Sequence, residues 1–221
     1  MDTEHVVITI DGGAGTGTTS LARELAAHLR WPYLNTGHLY RGVANEVQVT
    51  GTNPHNEVQV TKIAEEIDFD FDGGSVVKVN DKPITAEQLA AMSDLVPHIA
   101  HYPGVREHIR RWQKTFASDQ HCIIEGRDLG SVVFPNSPFK IFLICDDEVR
   151  AIRRSNQLGR DVTVAELRER DRLDSEREAS PMVRPAGAHQ LDTTHISVPR
   201  LVTAVEVFMH GVPEIRAALG K

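Results

Sequence analysis

The spacing of hydrophobic and polar positions changes several times along the 221-residue chain, and each change marks an element. Val6-Val7-Ile8-Thr9-Ile10 is apolar and β-branched, which predicts a strand buried on both faces. A loop with four glycines follows (Gly12, Gly13, Gly15, Gly17), and then Leu21, Leu25, Ala26 and Leu29 recur at helical spacing. Trp31-Pro32-Tyr33-Leu34 predicts a short second strand. Thr36-Gly37 breaks it, and from His38 a helix is expected with Leu39, Val43 and Val47 on one face. This β-α-β-α alternation predicts an α/β fold, a parallel central sheet flanked by helices.

After Gly51 the texture shifts. Ile63–Ile67 reads as helical. Short alternating pieces follow at Asp68–Asp72 and Val76–Asn80, with turns at Gly73-Gly74 and Asp81-Lys82 before Pro83-Ile84. These predict a small antiparallel subdomain inserted at about residues 65–85. Helical texture returns at Thr85–Ser93. A longer helix, with Val105, Ile109 and Trp112 on one face, is expected to end near Ala117. Cys122–Glu125 and Phe139–Cys145 read as buried parallel strands. A charged helical stretch from Asp147 to about Glu178 carries eight arginines, Leu191–Thr194 predicts a last short strand, and one helix is expected over Val198–Leu219, packing Leu201, Val205 and Phe208.

Composition narrows the function classes. The chain is 40% hydrophobic and 25% charged, with a net charge of −7. That balance argues against a nucleic-acid polymer as partner, which calls for a basic face, but leaves room for a small anion in a local basic pocket. No apolar run approaches the roughly 20 residues of a membrane span. Met1–His5 is acidic and leads straight into a strand, which does not read as a signal peptide. Cys122 and Cys145 lie in apolar runs and are expected as buried core thiols in a reducing, cytoplasmic compartment. The eleven histidines are scattered and show no metal-ligand spacing.

The glycine loop carries the chemistry. A strand, a Gly-rich turn and a helix start form the layout of a phosphate-binding P-loop, in which backbone N–H groups and the helix N-terminus converge on an anion. The nucleotide-triphosphate candidates are Gly12, Gly15, Thr16, Gly17, Thr18, Thr19 and Ser20. Thr18 stands where the motif calls for lysine. Ser20, with Thr19 beside it, is the expected hydroxyl for a Mg²⁺ ion carried by ATP.

Further motifs extend the pattern. Asn35-Thr36-Gly37-His38-Leu39-Tyr40-Arg41 and Glu125-Gly126-Arg127-Asp128-Leu129-Gly130-Ser131-Val132-Val133-Phe134-Pro135 resemble two signature segments of bacterial cytidylate kinases. Lys140-Ile141-Phe142-Leu143, the pair Arg153-Arg154, Arg170-Asp171-x-x-Asp174-x-x-Arg177 and Leu191–Thr194 are similar to later segments of that family, in the same order. The resemblance spans about Val6 to Phe208 and includes the inserted meander.

It implies a single P-loop nucleoside monophosphate kinase domain over residues 1–221, acting as a monomer on ATP and on CMP or dCMP. The core would cover about 1–60 and 118–221, the acceptor-binding region with its insert 61–117, and a helical lid 153–178. Arg41, Arg127 and Arg177 would clamp the acceptor phosphate and the group in flight. Arg106 and Asp128 would read the base. Asp174, with Arg170, would hold the ribose, Thr36 would line the acceptor site, and Arg153 and Arg154 would come over the donor. The charge logic is independent of the resemblance: phosphoryl transfer is catalysed mainly by positioning and cationic stabilisation, and arginine binds phosphate oxygens bidentately. Arg168 and Arg172 are expected on a solvated helix face instead.

Three departures from the family pattern stand out. Thr18 removes the loop cation, for which Arg153, Arg154 or a monovalent ion such as K⁺ are candidate substitutes. Pro97 stands where the family has a base-binding serine, and proline offers neither a side-chain donor nor an N–H. Asn35-Thr36 replaces an Asp-Ser pair. These departures leave two alternatives open: a kinase for another or a modified pyrimidine monophosphate, and a nucleotide-binding paralogue with impaired catalysis.

Overall fold

A computed structural model describes residues 5–220, so the acidic segment Met1–Glu4 lies outside the described residues. The glycine loop joins β1 (Val7–Gly12) to α1 (Thr18–Leu29). β2 (Tyr33–Asn35) runs directly into α2 (Thr36–Val49), and α3 (Glu57–Glu66) follows. The insert is β3 (Phe69–Asp72), β4 (Ser75–Val79) and β5 (Lys82–Pro83), an antiparallel sheet turned at Gly73-Gly74 and again at Asn80-Asp81, where both residues have positive φ.

Thr85 begins the next stretch with a capping box: its side chain accepts from Gln88 N–H while Gln88 Oε1 accepts from Thr85 N–H. α4 (Ala86–Ala91), a 3₁₀ turn at Met92–Asp94, α5 (Val96–Ile99) and α6 (Pro103–Phe116) lead to β6 (Cys122–Gly126). A π-helical turn at Leu129–Val133 precedes β7 (Phe139–Ile144).

The charged stretch forms two helices, α7 (Asp147–Leu158) and α8 (Val164–Ser175), because Gly159 ends the first in the left-handed region and Thr163 caps the second. β8 spans His189–Asp192, two residues earlier than the pattern suggests. The C-terminal helix is likewise two, α9 (Val198–Met209) and α10 (Pro213–Ala218), since Gly211 and Pro213 interrupt it. Phe208, expected in the core, is 40% exposed and stacks on His189.

The main sheet has the order β2-β6-β1-β7-β8, and every neighbouring pair is parallel. Period two along the strands divides the core. Val7, Cys122 and Ile124 face α2, α3, α6 and the insert, whereas Ile8, Ile10, Ile123, Ile141 and Leu143 face α1 and α9. Helices thus cover both faces in three layers. β1 is central, so its glycine loop opens at the carboxyl edge of the sheet, where ligands of open α/β folds bind. Both cysteines are free thiols; Cys122 is buried and Cys145 half-buried. Among the described residues, no helix is long and apolar enough to cross a membrane.

Candidate active site

A cleft of about 580 Å³ opens over the carboxyl edge of the sheet, within the size range of small-molecule sites. The glycine loop forms one end, α2 and α5 the second wall, and α7 and α8 cross the top. Gly15 and Gly17 hold φ of +77° and +98°, a conformation that suits glycine. A Cβ on Gly15 would also stand 2.7 Å from the Arg150 carbonyl, so α7 packs directly on the loop.

Two buried groups fix the loop from behind. Arg150 Nε donates to Ala14 O at 2.7 Å, and its guanidinium pairs with Asp147 at 3.0 Å and with Asp171 of α8 at 2.6 Å. The Asp11 carboxylate accepts from Leu129 N–H at 2.9 Å and from Gly130 N–H at 2.8 Å. Burial pushes Asp11 up to about 7, although those two N–H groups pull the other way. Asp11 therefore ties the strand before the loop to the turn after Gly126-Arg127-Asp128. Sequence reasoning misses both ties, because the partners stand 118 or more residues apart; a lone carboxylate at the end of an apolar β-branched run is the available signal for the second.

Thr18, Thr19 and Ser20 all line the cleft, and of their hydroxyls it is that of Thr19 that meets Glu125 on its floor. Thr19 Oγ1 donates to Glu125 Oε1 at 2.7 Å. α1 begins at Thr18, and one helical position turns a side chain by about 100°, which leaves Ser20 exposed. Thr36 Oγ1 donates to Glu125 O at 2.8 Å, which closes α2 onto the end of β6.

The arginines converge as the motifs suggest. Asp174 is buried and faces Arg127 at 3.2 Å, Arg170 at 3.7 Å and Arg177 at 3.4 Å. Burial opposes the Asp174 charge, but these three cations together hold its carboxyl below the usual range. Arg127 also donates to Gly12 O, so one side chain touches both the loop and the Asp174 cluster. Burial lowers Arg41 to about 10, where Glu125 opposes the shift and Arg170 and Arg127 add to it. Deeper in, Arg106 pairs with Asp128 at 2.5 Å, donates to Ala100 O at 2.9 Å and lies over the Tyr40 ring at 5.6 Å.

The α7 pair divides. Arg154 lines the cleft; burial, with Arg41, Arg170 and Arg127 nearby, lowers it to about 10. Arg153 does not line it. Its guanidinium donates to Thr193 O at 2.8 Å, Thr193 Oγ1 at 3.1 Å and Cys145 Sγ at 3.3 Å. The hydroxyl of Thr193 in turn donates to Thr16 O at 2.7 Å, so Arg153 supports the loop through Thr193 instead of reaching over it. Arg168 and Arg172 sit on the outer face, paired with Asp147 and with Glu169 and Glu176. Among the described residues, no cluster of three or more His, Cys, Asp or Glu side chains is placed to hold a metal.

Residues 8–210 match the family model described as cytidylate kinase. A cytidylate kinase from Methylococcus capsulatus is 34% identical over 210 residues, covering 89% of this chain and 93% of that protein. One from Colwellia psychrerythraea is 35% identical over 223 residues, covering 96% and 99%. Among solved structures, an uncharacterized protein from Eubacterium ventriosum superposes with a TM-score of 0.50 at 12% identity, covering 92% of this chain and 98% of that one, a likeness of fold.

Proposed function

Because the chain belongs to the cytidylate kinase family, we propose that it transfers the γ-phosphoryl group of ATP to CMP or dCMP, releasing ADP and CDP or dCDP. The observation that carries this reading is Arg127, bonded at once to the Gly12 carbonyl of the donor loop and to Asp174 of the acceptor wall. One cation thereby spans the gap across which a phosphoryl group must pass, and such preorganised charge is the main catalytic resource for this reaction.

In this reading Gly12–Thr19 cradle the ATP phosphates through backbone N–H groups and the α1 N-terminus. Arg41 and Arg177 grip the acceptor phosphate, Asp174 and Arg170 hold its ribose, and Arg106 with Asp128 reads its base. Residues 153–178 act as the lid, and 61–117 as the acceptor-binding region around the insert. Two hard oxygen donors, Thr19 Oγ1 and a Glu125 carboxylate, adjoin the loop, a donor set that fits Mg²⁺ arriving with ATP. That ion would neutralise phosphate charge; the residues themselves bind, orient and exclude water.

Arg154 supplies the cation that Thr18 lacks. Arg150 is neutralised by Asp147 and Asp171, and Arg153 is committed to Thr193; of the three, Arg154 alone faces the cleft, its partner among the described residues being the Gln157 side-chain oxygen at 3.1 Å. Arg150 and Arg154 are four apart, so they share the helix face that packs on Gly15. The reading places a monomer in the cytoplasm.

The test is a steady-state assay of the purified chain with ATP, Mg²⁺ and a panel of nucleoside monophosphates, with and without K⁺. CMP and dCMP are expected as the best acceptors by kcat/KM. Absence of ADP formation with either, in both salts, would refute the assignment; a better acceptor elsewhere in the panel would replace the substrate.

A further inference from the structure

Four buried polar atoms on residues that line the cleft make no hydrogen bond among the described residues: Ser93 Oγ, Arg106 Nε, Arg170 Nε and Arg177 Nη2. Three are guanidinium nitrogens, which only donate. Ser93 Oγ alone among them accepts as well as donates. Ser93 is 5% exposed, and its hydroxyl has no hydrogen-bond partner among the described residues. Buried hydroxyls in native folds are almost always satisfied, so one left open beside a cleft calls for a partner from the cleft.

Its place in the chain sharpens this. The 3₁₀ turn Met92–Asp94 continues through Leu95, which is right-handed helical, into α5 (Val96–Ile99). Ser93 and Pro97 are therefore four residues apart on one continuous helical path and present the same face. Pro97 lines the cleft as well and has neither a side-chain donor nor an N–H. The Ser93 backbone is fixed independently, since Arg170 Nη1 donates to its carbonyl at 3.0 Å. That contact leaves the hydroxyl free. The same wall carries Ala100, whose carbonyl holds Arg106 Nη1, and thus adjoins the buried Arg106–Asp128 pair.

We propose that Ser93 is a specificity-determining residue that hydrogen-bonds the acceptor's base, taking over the polar contact that Pro97 cannot make. The inference rests on the kinase reading. A cytosine edge offers an amine donor beside a ring-nitrogen acceptor, and a hydroxyl matches either. Arg106 and Asp128, already paired to each other, supply the remaining donor and acceptor. A site built around a hydroxyl discriminates strongly against a base that leaves it unpaired.

The test compares wild type, S93A, P97S and S93A/P97S. Steady-state kinetics use CMP, and calorimetry measures binding of CMP and of ribose 5-phosphate without turnover. S93A is expected to raise KM for CMP at least tenfold, with kcat within threefold and KM for ATP unchanged. Ribose 5-phosphate, which carries no base, should bind S93A and wild type equally. S93A/P97S should return CMP to within threefold of wild type. The melting temperature of S93A should match wild type, because the hydroxyl has no structural partner to lose. The proposal is overturned if S93A binds CMP within twofold of wild type, or if ribose 5-phosphate loses as much affinity as CMP. A wild-type chain that does not phosphorylate CMP refutes the kinase reading; calorimetry on S93A still decides Ser93, a tenfold weaker Kd for CMP supporting it and an unchanged Kd overturning it.

Discussion

Replacing Arg106 by methionine removes a cation from the deepest part of the cleft and strands the carboxylate it faces. Arg106 is 3% exposed and Asp128 6%, and they meet at 2.5 Å. Methionine keeps the length of the aliphatic stem but leaves Asp128 without its cation and Ala100 O without its donor. Removing one partner of a buried ion pair costs about 3–5 kcal/mol, because the remaining charge is desolvated and uncompensated. For a domain of this length each kcal/mol moves the melting temperature by about 2–4 °C, so R106M is expected to melt about 6–20 °C below wild type. The double variant R106M/D128N, which removes the stranded charge, should recover most of that loss. Differential scanning calorimetry at pH 7 measures both, and initial-rate assays should show KM for CMP rising with KM for ATP little changed. An R106M protein melting less than about 3 °C below wild type, or a double variant as unstable as the single one, would refute the claim that this pair is desolvated and mutually dependent.

Other expectations follow from the same geometry. In a cycle of T18K, R154Q and their combination, R154Q should lower kcat by about 10²-fold or more in the native background, the cost of one preorganised donor, and by less than about tenfold in the T18K background; equal losses in both backgrounds would show that Arg154 does not stand in for the lysine. Asp11 is raised from 3.8 to about 7 in the fold, so the folded state holds that proton more tightly than the unfolded chain. The stability it confers is complete below about pH 4 and is lost as pH rises through about 7, by up to ~4 kcal/mol. Denaturant titrations should therefore show wild type losing ground to D11N across that window, and a pH-independent difference would contradict this. G15A forces a Cβ onto the Arg150 carbonyl at positive φ and should cost more than ~1 kcal/mol and abolish ATP binding by calorimetry. Burial raises the Cys122 thiol to about 12, so it should stay unreactive to a disulfide reagent at about pH 8 until the protein is unfolded.

What is legible in the sequence is local. β1, the glycine loop and α1 announce themselves because a β-branched run, a glycine turn and helical periodicity adjoin each other, and the meander because turn residues punctuate alternation. The arginine set is legible because each member sits in a recognisable segment. Helix ends are harder: α7 and α8, or α9 and α10, merge when periodicity is weighed over Gly159 and Gly211. Which of Thr19 and Ser20 reaches Glu125 depends on where α1 starts, a one-residue question that composition does not settle. The roles of Asp11, Arg150 and Arg153 are out of reach for a different reason. Each makes a bond to a backbone carbonyl or N–H of a distant segment, and backbone groups carry no sequence signature.

Asp174 sets one carboxylate against three guanidiniums, which leaves two positive charges unmatched around a single buried point. The carboxylate keeps the guanidiniums together, but it does not neutralise them. In the proposed kinase reading, a phosphomonoester dianion supplies the missing pair of negative charges. Nucleotide occupancy is therefore coupled to the cohesion of the whole upper wall, since α8 supplies Arg170 and Asp174 while Arg177 follows it and Arg127 reaches in from just beyond β6. The phosphate, more than the sugar or base, is the part of the substrate that finishes the protein's own electrostatics: CMP should raise the melting temperature as its occupancy rises, and cytidine, lacking the dianion, should not.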